Sequence, residues 1–307
     1  MFRLSCFIFI LDQVIYFPSA KINLGLRILG QRDDGYHNIE SVFLPTNWCD
    51  VLEVNVLDKG EMGLLNLNCT GIEVGGNSRD NTIVRAHKII SETFELPPIK
   101  VNLLKVIPTG AGLGGGSADG SFMLKAINEL CDLGISNTEL KKFASKIGSD
   151  CPFFIDNVPA LVTGIGDEIQ PLNQNHLGLS LHDIKILIIH PGIHVNTSQA
   201  FSWLDGKSKK SLDYSALSKT PIERWGGVIN NDFTIPVSKR HPEISQALEM
   251  LKEAGAEYYQ MTGSGASVFG LFSTKKAQKS KGIALKVQKT LENASKQGFK
   301  TYFGALA

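Results

Sequence analysis

Apolar and polar positions alternate through Ile22-Asn23-Leu24-Gly25-Leu26-Arg27-Ile28-Leu29, the period of a strand with one buried face. The same pattern predicts strands over residues 50–57, 64–68 and 99–107. The period lengthens over 81–94, where Ile83, Ala86, His87, Ile90 and Phe94 share one helical face and Asp80 or Asn81 can cap the first turn. A strongly periodic helix is predicted over 117–132, and a second over 138–147 with Asn137 or Thr138 as its cap. Beyond Asp150 the pattern returns to strands at 159–163, 167–171 and 184–190. A hydrophilic loop or linker covers 205–220, and a helix starts at Pro242, a residue suited to the first helical position. A strand–loop–strand passage over 257–272 and a lysine-rich helix near 275–294 follow. Strands and helices are mixed without a regular βαβ series, which reads as α+β. Two domains are expected, 14–163 and 164–307, for a chain of 307 residues.

Composition narrows the class. Hydrophobic residues make up 43% of the chain and charged residues 20%, an ordinary globular balance that can bury large cores. A net charge of +1 excludes nucleic acid or an acidic membrane surface as the main partner. Lys207, Lys209 and Lys210 read as a solvated loop. The five cysteines are widely spaced, odd in number and without C-x-x-C, so they form neither a disulfide framework nor a zinc site and suit a reducing, cytoplasmic setting. Cys151 reads as a small buried residue rather than a nucleophile. No apolar run reaches the ~18 residues of a membrane span. Residues 1–13 carry no ligand-type side chain and read as an extra edge strand or a leader, so a chain beginning near Val14 is expected to keep its activity.

The chemistry concentrates in four segments. Between the strand at 99–107 and the helix at 117–132 lies Pro108-Thr109-Gly110-Ala111-Gly112-Leu113-Gly114-Gly115-Gly116-Ser117. Glycines allow positive φ and close backbone approach, successive amides can line one concavity, and the following helix adds its positive end. This is an anion site for a di- or triphosphate. It is not a dinucleotide site, because a second helix follows where a strand ending in an acidic residue is needed. It is not a P-loop either, because G-x-x-x-x-G-K-[ST] is absent. Lys21 and Asn23 share a face at the start of a strand, where a lysine in apolar surroundings needs an anionic partner unless it lies on an edge. Asp150, between Gly148-Ser149 and Cys151-Pro152-Phe153-Phe154, reads as a general base, a metal ligand or a turn residue. Thr262-Gly263-Ser264-Gly265-Ala266 is a second small-residue loop, either a plain hairpin turn or a further close approach to phosphate.

These segments, with Asp34-Gly35-Tyr36-His37 and His190-Pro191-Gly192, resemble the GHMP kinase superfamily over residues 17–272. The resemblance implies two α+β domains, the first like ribosomal protein S5 domain 2 with a left-handed βαβ crossover, the second ferredoxin-like, with ATP and an alcohol meeting between them. It places the catalytic pair on Lys21 and Asp150, and ATP on residues Pro108 through Ser117 and on Ala118, with Lys105 and the Asn81-Thr82 region as adenosine neighbours. Ala118 stands where a second serine is common. Mg²⁺ is implied as ATP's partner ion, with Ser117 as its candidate ligand. The Gly-Tyr-His turn and the His-Pro-Gly segment point to members that phosphorylate a cytidine diphosphate ester of a branched alcohol on the way to isoprenoid precursors. Asn23, Thr262 and Gly263 would then touch that substrate. Tyr36 and Phe201 would enclose its base, with His37 bonding the base edge. Kinases of mevalonate-type or sugar alcohols give no reason for Tyr36-His37. A nucleotide-binding module without catalysis gives none for an intact Lys21 and Asp150. The resemblance implies no particular oligomeric state.

Overall fold

A computed structural model of the chain describes residues 12–57, 64–75, 77–173, 180–204, 211, 214–274 and 281–307. The apolar run 4–11, the lysine cluster at 207–210 and the start of the expected helix at 275 lie outside them.

Three four-stranded sheets organise the fold. The first has the order β1-β4-β6-β5, from β1 (Gln13–Tyr16), β4 (Val51–Val56), β5 (Leu65–Gly71) and β6 (Ile99–Lys105). Its pair β5–β6 is parallel and is joined through α1 (Thr82–Ser91). Burying one face of this sheet against α1, α2 (Gly115–Leu130), α3 (Asn137–Ile147) and α4 (Cys151–Asp156) makes the first core, centred on Ile83, Val101, Met123, Ile127 and Phe154.

The second sheet, β2-β3-β7-β8, is antiparallel and built on two long strands, β2 (Ser19–Gln31) and β3 (His37–Cys49), extended by β7 (Ala160–Thr163) and β8 (Glu168–Pro171). The third has the order β10-β11-β9-β12, from β9 (Ile184–His190), β10 (Tyr258–Met261), β11 (Val268–Ser273) and β12 (Lys300–Ala305). With α7 (Pro242–Glu253) between β9 and β10, and α8 (Lys281–Lys296) between β11 and β12, it reads βαββαβ, the ferredoxin-like order. The second core, including Ile22, Leu44, Leu113, Ile186 and Phe269, sits between the second and third sheets and takes in the glycine loop.

Several expectations change. β3 has no counterpart in the sequence reading: Glu40 to Leu44 are all buried, so neither face is polar and no alternation shows. A short helix, α4, with Pro152 in its first turn, follows Asp150 and has no counterpart in the sequence reading. α3 is capped by Ser136, not Asn137 or Thr138, in a capping box with Glu139. β1, β12, α5 (Thr197–Ser202) and α6 (Thr234–Ser238) also went unread. The described part of the expected 205–220 linker includes a 3₁₀ helix at Tyr214–Lys219.

Candidate active site

The glycine loop runs from buried Ile107 into α2. Gly110, Gly112 and Gly114 adopt φ of 62°, 76° and 70°, a left-handed conformation at alternate positions that allows successive amides to line one concavity. At Gly112 glycine is obligatory: a Cβ there would lie 2.3 Å from the carbonyl oxygen of Thr262. Gly114 caps α2 without any side-chain hydrogen bond. The first-turn amides therefore face the cavity uncapped, beside the helix's positive end. The loop is held from the C-terminal half, where Ser267 N donates to Ala111 O (3.2 Å) and the Thr262 hydroxyl to Gly112 O (3.2 Å).

Lys21 arrives from β2, pinned by its own amide to Leu113 O at 2.9 Å. Its side chain is only 3% exposed, so its charge needs partners. Nζ donates to Asn23 Oδ1 (2.6 Å), lies 3.3 Å from Asp150 Oδ2 and sits 4.2 Å from the Phe43 ring centre. Asp150 is the residue before α4, and its carboxylate makes no capping bond. It is 29% exposed and fronts the cavity. The neighbours on its C-terminal side, Cys151 through Phe154, are buried and anchor it, with Phe153 edge-on to Phe43 at 5.3 Å.

Across the cavity the β2–β3 turn carries Tyr36 and His37. Gly35 has φ 87°, and Asp34 Oδ1 accepts from Tyr36 N at 3.1 Å. His37 stacks on Phe201 of α5 (centroids 4.5 Å, 19°), and Phe201 meets Phe233 edge-on at 4.9 Å. One cavity of about 820 Å³ joins the glycine loop, the Lys21–Asp150 pair, this aromatic wall and Gly263-Ser264-Gly265.

Residues 81–164 match the GHMP kinases N terminal domain, and residues 215–293 match the GHMP kinases C terminal domain. Over 262 residues the chain is 42% identical to the 4-diphosphocytidyl-2-C-methyl-D-erythritol kinase of Parabacteroides distasonis, covering 84% of this chain and 92% of that one. The chain belongs to the GHMP kinase family. The kinase of the same name from Porphyromonas gingivalis is 40% identical over 85% of this chain and 93% of its own. Two crystal structures share the fold. That of 4-(cytidine 5'-diphospho)-2C-methyl-D-erythritol kinase has a TM-score of 0.77 at 24% identity, covering 96% of this chain and 99% of that one. Homoserine kinase from Cytophaga hutchinsonii has a TM-score of 0.69 at 17% identity, covering 97% and 95%.

In this GHMP kinase the expected site residues divide. Lys21, Asn23, Tyr36, His37, Pro108, Gly110, Ala111, Gly112, Gly114, Gly115, Gly116, Ser117, Asp150, Phe201 and Gly263 line the cavity. Thr109 is exposed outside it, and Leu113 and Ala118 are packed into the cores. Thr262 is fully buried, its hydroxyl spent on Asn23 Oδ1 (3.1 Å) and Gly112 O. Asn23 bonds Lys21, Thr262 and, through Nδ2, Ser41 (3.0 Å), so it orients the lysine. His37, expected at the edge of the base, stacks on Phe201.

Lys105, expected beside the adenosine, is not among the described residues that line the cavity. It is 1% exposed, with Nζ 2.5 Å from Asp50 Oδ2 and 2.7 Å from Asp119 Oδ2. Asp50 Oδ1 also accepts from Ile107 N at 2.8 Å, so the triad fastens the chain entering the glycine loop. Burial pushes the Asp119 carboxyl up to about 7, with Lys105 opposing and Asp50 adding. Asn81 caps α1 by accepting from Ile83 N (2.9 Å), and its neighbour Thr82 reaches the cavity instead. Burial lifts the Cys151 thiol to about 11, which rules it out as a nucleophile at neutral pH. Sequence reasoning missed His194, Thr197, Ser198 and Phe233 on the cavity wall, while Thr82 and Ser149 lie in segments it had singled out. None of the four missed residues stands in a motif, and His194 and Thr197 are legible only as the stretch after His-Pro-Gly.

Proposed function

We propose that this GHMP kinase transfers the γ-phosphoryl group of ATP to the tertiary 2-hydroxyl of 4-diphosphocytidyl-2-C-methyl-D-erythritol, a step in the non-mevalonate supply of isoprenoid precursors. The observation that carries this reading is the single cavity in which a glycine cradle, a lysine–carboxylate pair and an aromatic stack meet. A nucleobase rewards an aromatic face, and a polyphosphate rewards converging amides. The relatives' names supply the alcohol.

In this reading residues 14–163 hold ATP and residues 164–307 close the site with Phe201 and Gly263. The amides of Gly110 through Ser117 hold the triphosphate. The substrate hydroxyl oxygen bonds to the γ-phosphorus as the bridge to the β-phosphate breaks, and ADP leaves with that bridging oxygen. The hydroxyl proton passes to Asp150. The transition state is largely dissociative, so Asp150 orients the hydroxyl and collects its proton late. Lys21, held by Asn23 and Phe43, keeps Asp150 ionised and stabilises charge gathering on the transferred group. Mg²⁺ takes oxygen ligands and keeps several of its own waters, which the hydroxyl of Ser117 on the cavity wall fits. Bound there, it would neutralise the triphosphate. The setting is assigned to the cytoplasm, consistent with four free cysteines among the described residues.

Acceptor competition tests the reading. ADP formation with the cytidine diphosphate alcohol should exceed that with mevalonate or homoserine by at least about 100-fold in kcat/KM. Comparable turnover of mevalonate or homoserine would refute it.

A further inference from the structure

The cavity is short of positive charge for the work proposed. Among the described residues, its ionisable lining side chains are Lys21, Asp150, Tyr36, His37 and His194. Lys21 is committed to Asp150, and His37 is stacked on Phe201 at the base end. A triphosphate and a diphosphate must nevertheless meet here if the function proposed above holds. His194 is the remaining basic side chain.

Its position is built. β9 ends at His190, and the chain turns at Gly192 (φ 77°). Val195 is buried in the third core and Ile193 packs against it, so the backbone on both sides of His194 is anchored. The imidazole lies against the phosphate loop. A Cβ on Gly110 would fall 2.5 Å from its Nδ1 and 2.7 Å from its Cε1, so this ring position requires glycine there. Beside it the hydroxyls of Thr197 and Ser264 are 3.0 Å apart.

We infer that His194 is a phosphate-binding residue of this site, a cation contributed by the C-terminal half to the wall formed by the glycine loop. The groups around it leave it that role. From β9 comes His190, buried and bonded to Ser267 (3.2 Å), its pKa lowered to about 4 by burial and by the charge of His194, hence neutral at working pH. Residues 108–114 and 262–266 contain no ionisable side chain, nor do Asn196, Thr197 and Ser198. Lys21 and Asp150 satisfy one another.

The test compares wild type, His194→Ala and His194→Lys at pH 6.5 and 8.5 with saturating Mg²⁺, measuring KM for ATP and for the cytidine diphosphate alcohol. ADP and CDP binding are followed in parallel by calorimetry. Losing a phosphate contact should raise one KM about 10- to 100-fold in His194→Ala at pH 6.5. His194→Lys should hold the low KM at both pH values. A rise confined to ATP and ADP assigns the cation to the triphosphate, and one confined to the cytidine ligands assigns it to the diphosphate. If wild type turns over and His194→Ala keeps both KM values within about twofold at both pH values, the inference is overturned. If wild type fails to turn over, the proposed function falls instead. Calorimetry then decides alone, with unchanged ADP and CDP affinity in His194→Ala overturning the inference and weakened affinity supporting it.

Discussion

Replacing Asp150 by Asn keeps the side chain's size and removes its charge. At 3.3 Å from Lys21 Nζ, with an effective dielectric of about 20, the Coulomb attraction is about 5 kcal/mol. That figure is a ceiling, because Asp150 is 29% exposed and solvent screens it. Removing a general base costs about 10²–10⁴ in rate, or about 3–5 kcal/mol, within that ceiling. Asp150→Asn should therefore lower kcat by that range while ATP binding, which rests on the loop amides, stays near wild type. Lys21→Met should lose a comparable amount, since the ammonium serves both Asp150 and the transferring group. Lys21 and Asp150 work as one unit, so the double variant should be no more than about tenfold below the worse single variant. Single-turnover kinetics of all four proteins, with ATP affinity measured separately, provide the assay. A double variant that loses the full product of the two single effects would refute the pairing. An Asp150→Asn enzyme with near-wild-type kcat would remove Asp150 from the mechanism.

Phe201→Ala should raise KM for the cytidine substrate about 5- to 150-fold and leave KM for ATP nearly unchanged, because base stacking contributes about 1–3 kcal/mol; steady-state kinetics with each substrate varied would show a reversed assignment of the two nucleotide ends if ATP suffered instead. Gly112→Ala puts a Cβ 2.3 Å from a backbone oxygen at φ 76°, so a thermal melt should show a loss of about 2–4 kcal/mol, and an unchanged melt would contradict the close packing of the two loops. His190 has a folded pKa of about 4, below its ordinary value, so its neutral form stabilises the fold above about pH 6.5. That contribution, about 3 kcal/mol, is lost as pH falls from about 6.5 to about 4. Denaturant titrations across that window should show the loss in wild type and a shallower one in His190→Asn, which can keep the Ser267 hydrogen bond.

The glycine loop was legible because its chemistry is local: alternating glycines between a strand and a helix dictate the backbone without reference to anything distant. Lys21 and Asn23 were legible as neighbours by the two-residue period, and they are bonded at 2.6 Å. The Lys21–Asp150 contact was not legible from the residues and entered through the family resemblance, since Lys21 stands on β2 and Asp150 before α4, far apart in the chain. Lys105 misled for the opposite reason. Its partners, Asp50 and Asp119, lie on other elements, and no spacing rule ties a buried lysine to carboxylates so placed. β3 escaped because its buried stretch has no polar face, and α4 because six residues are too few to show a helical period.

The most direct test of the account is the identity of the product. Purified protein incubated with ATP, Mg²⁺ and 4-diphosphocytidyl-2-C-methyl-D-erythritol should release ADP in equal amount to a product one phosphoryl group heavier. Phosphorus NMR should show the diphosphate intact and a new monoester on the tertiary 2-carbon. A phosphate on any other oxygen, or ADP formed without a phosphorylated alcohol, would contradict it.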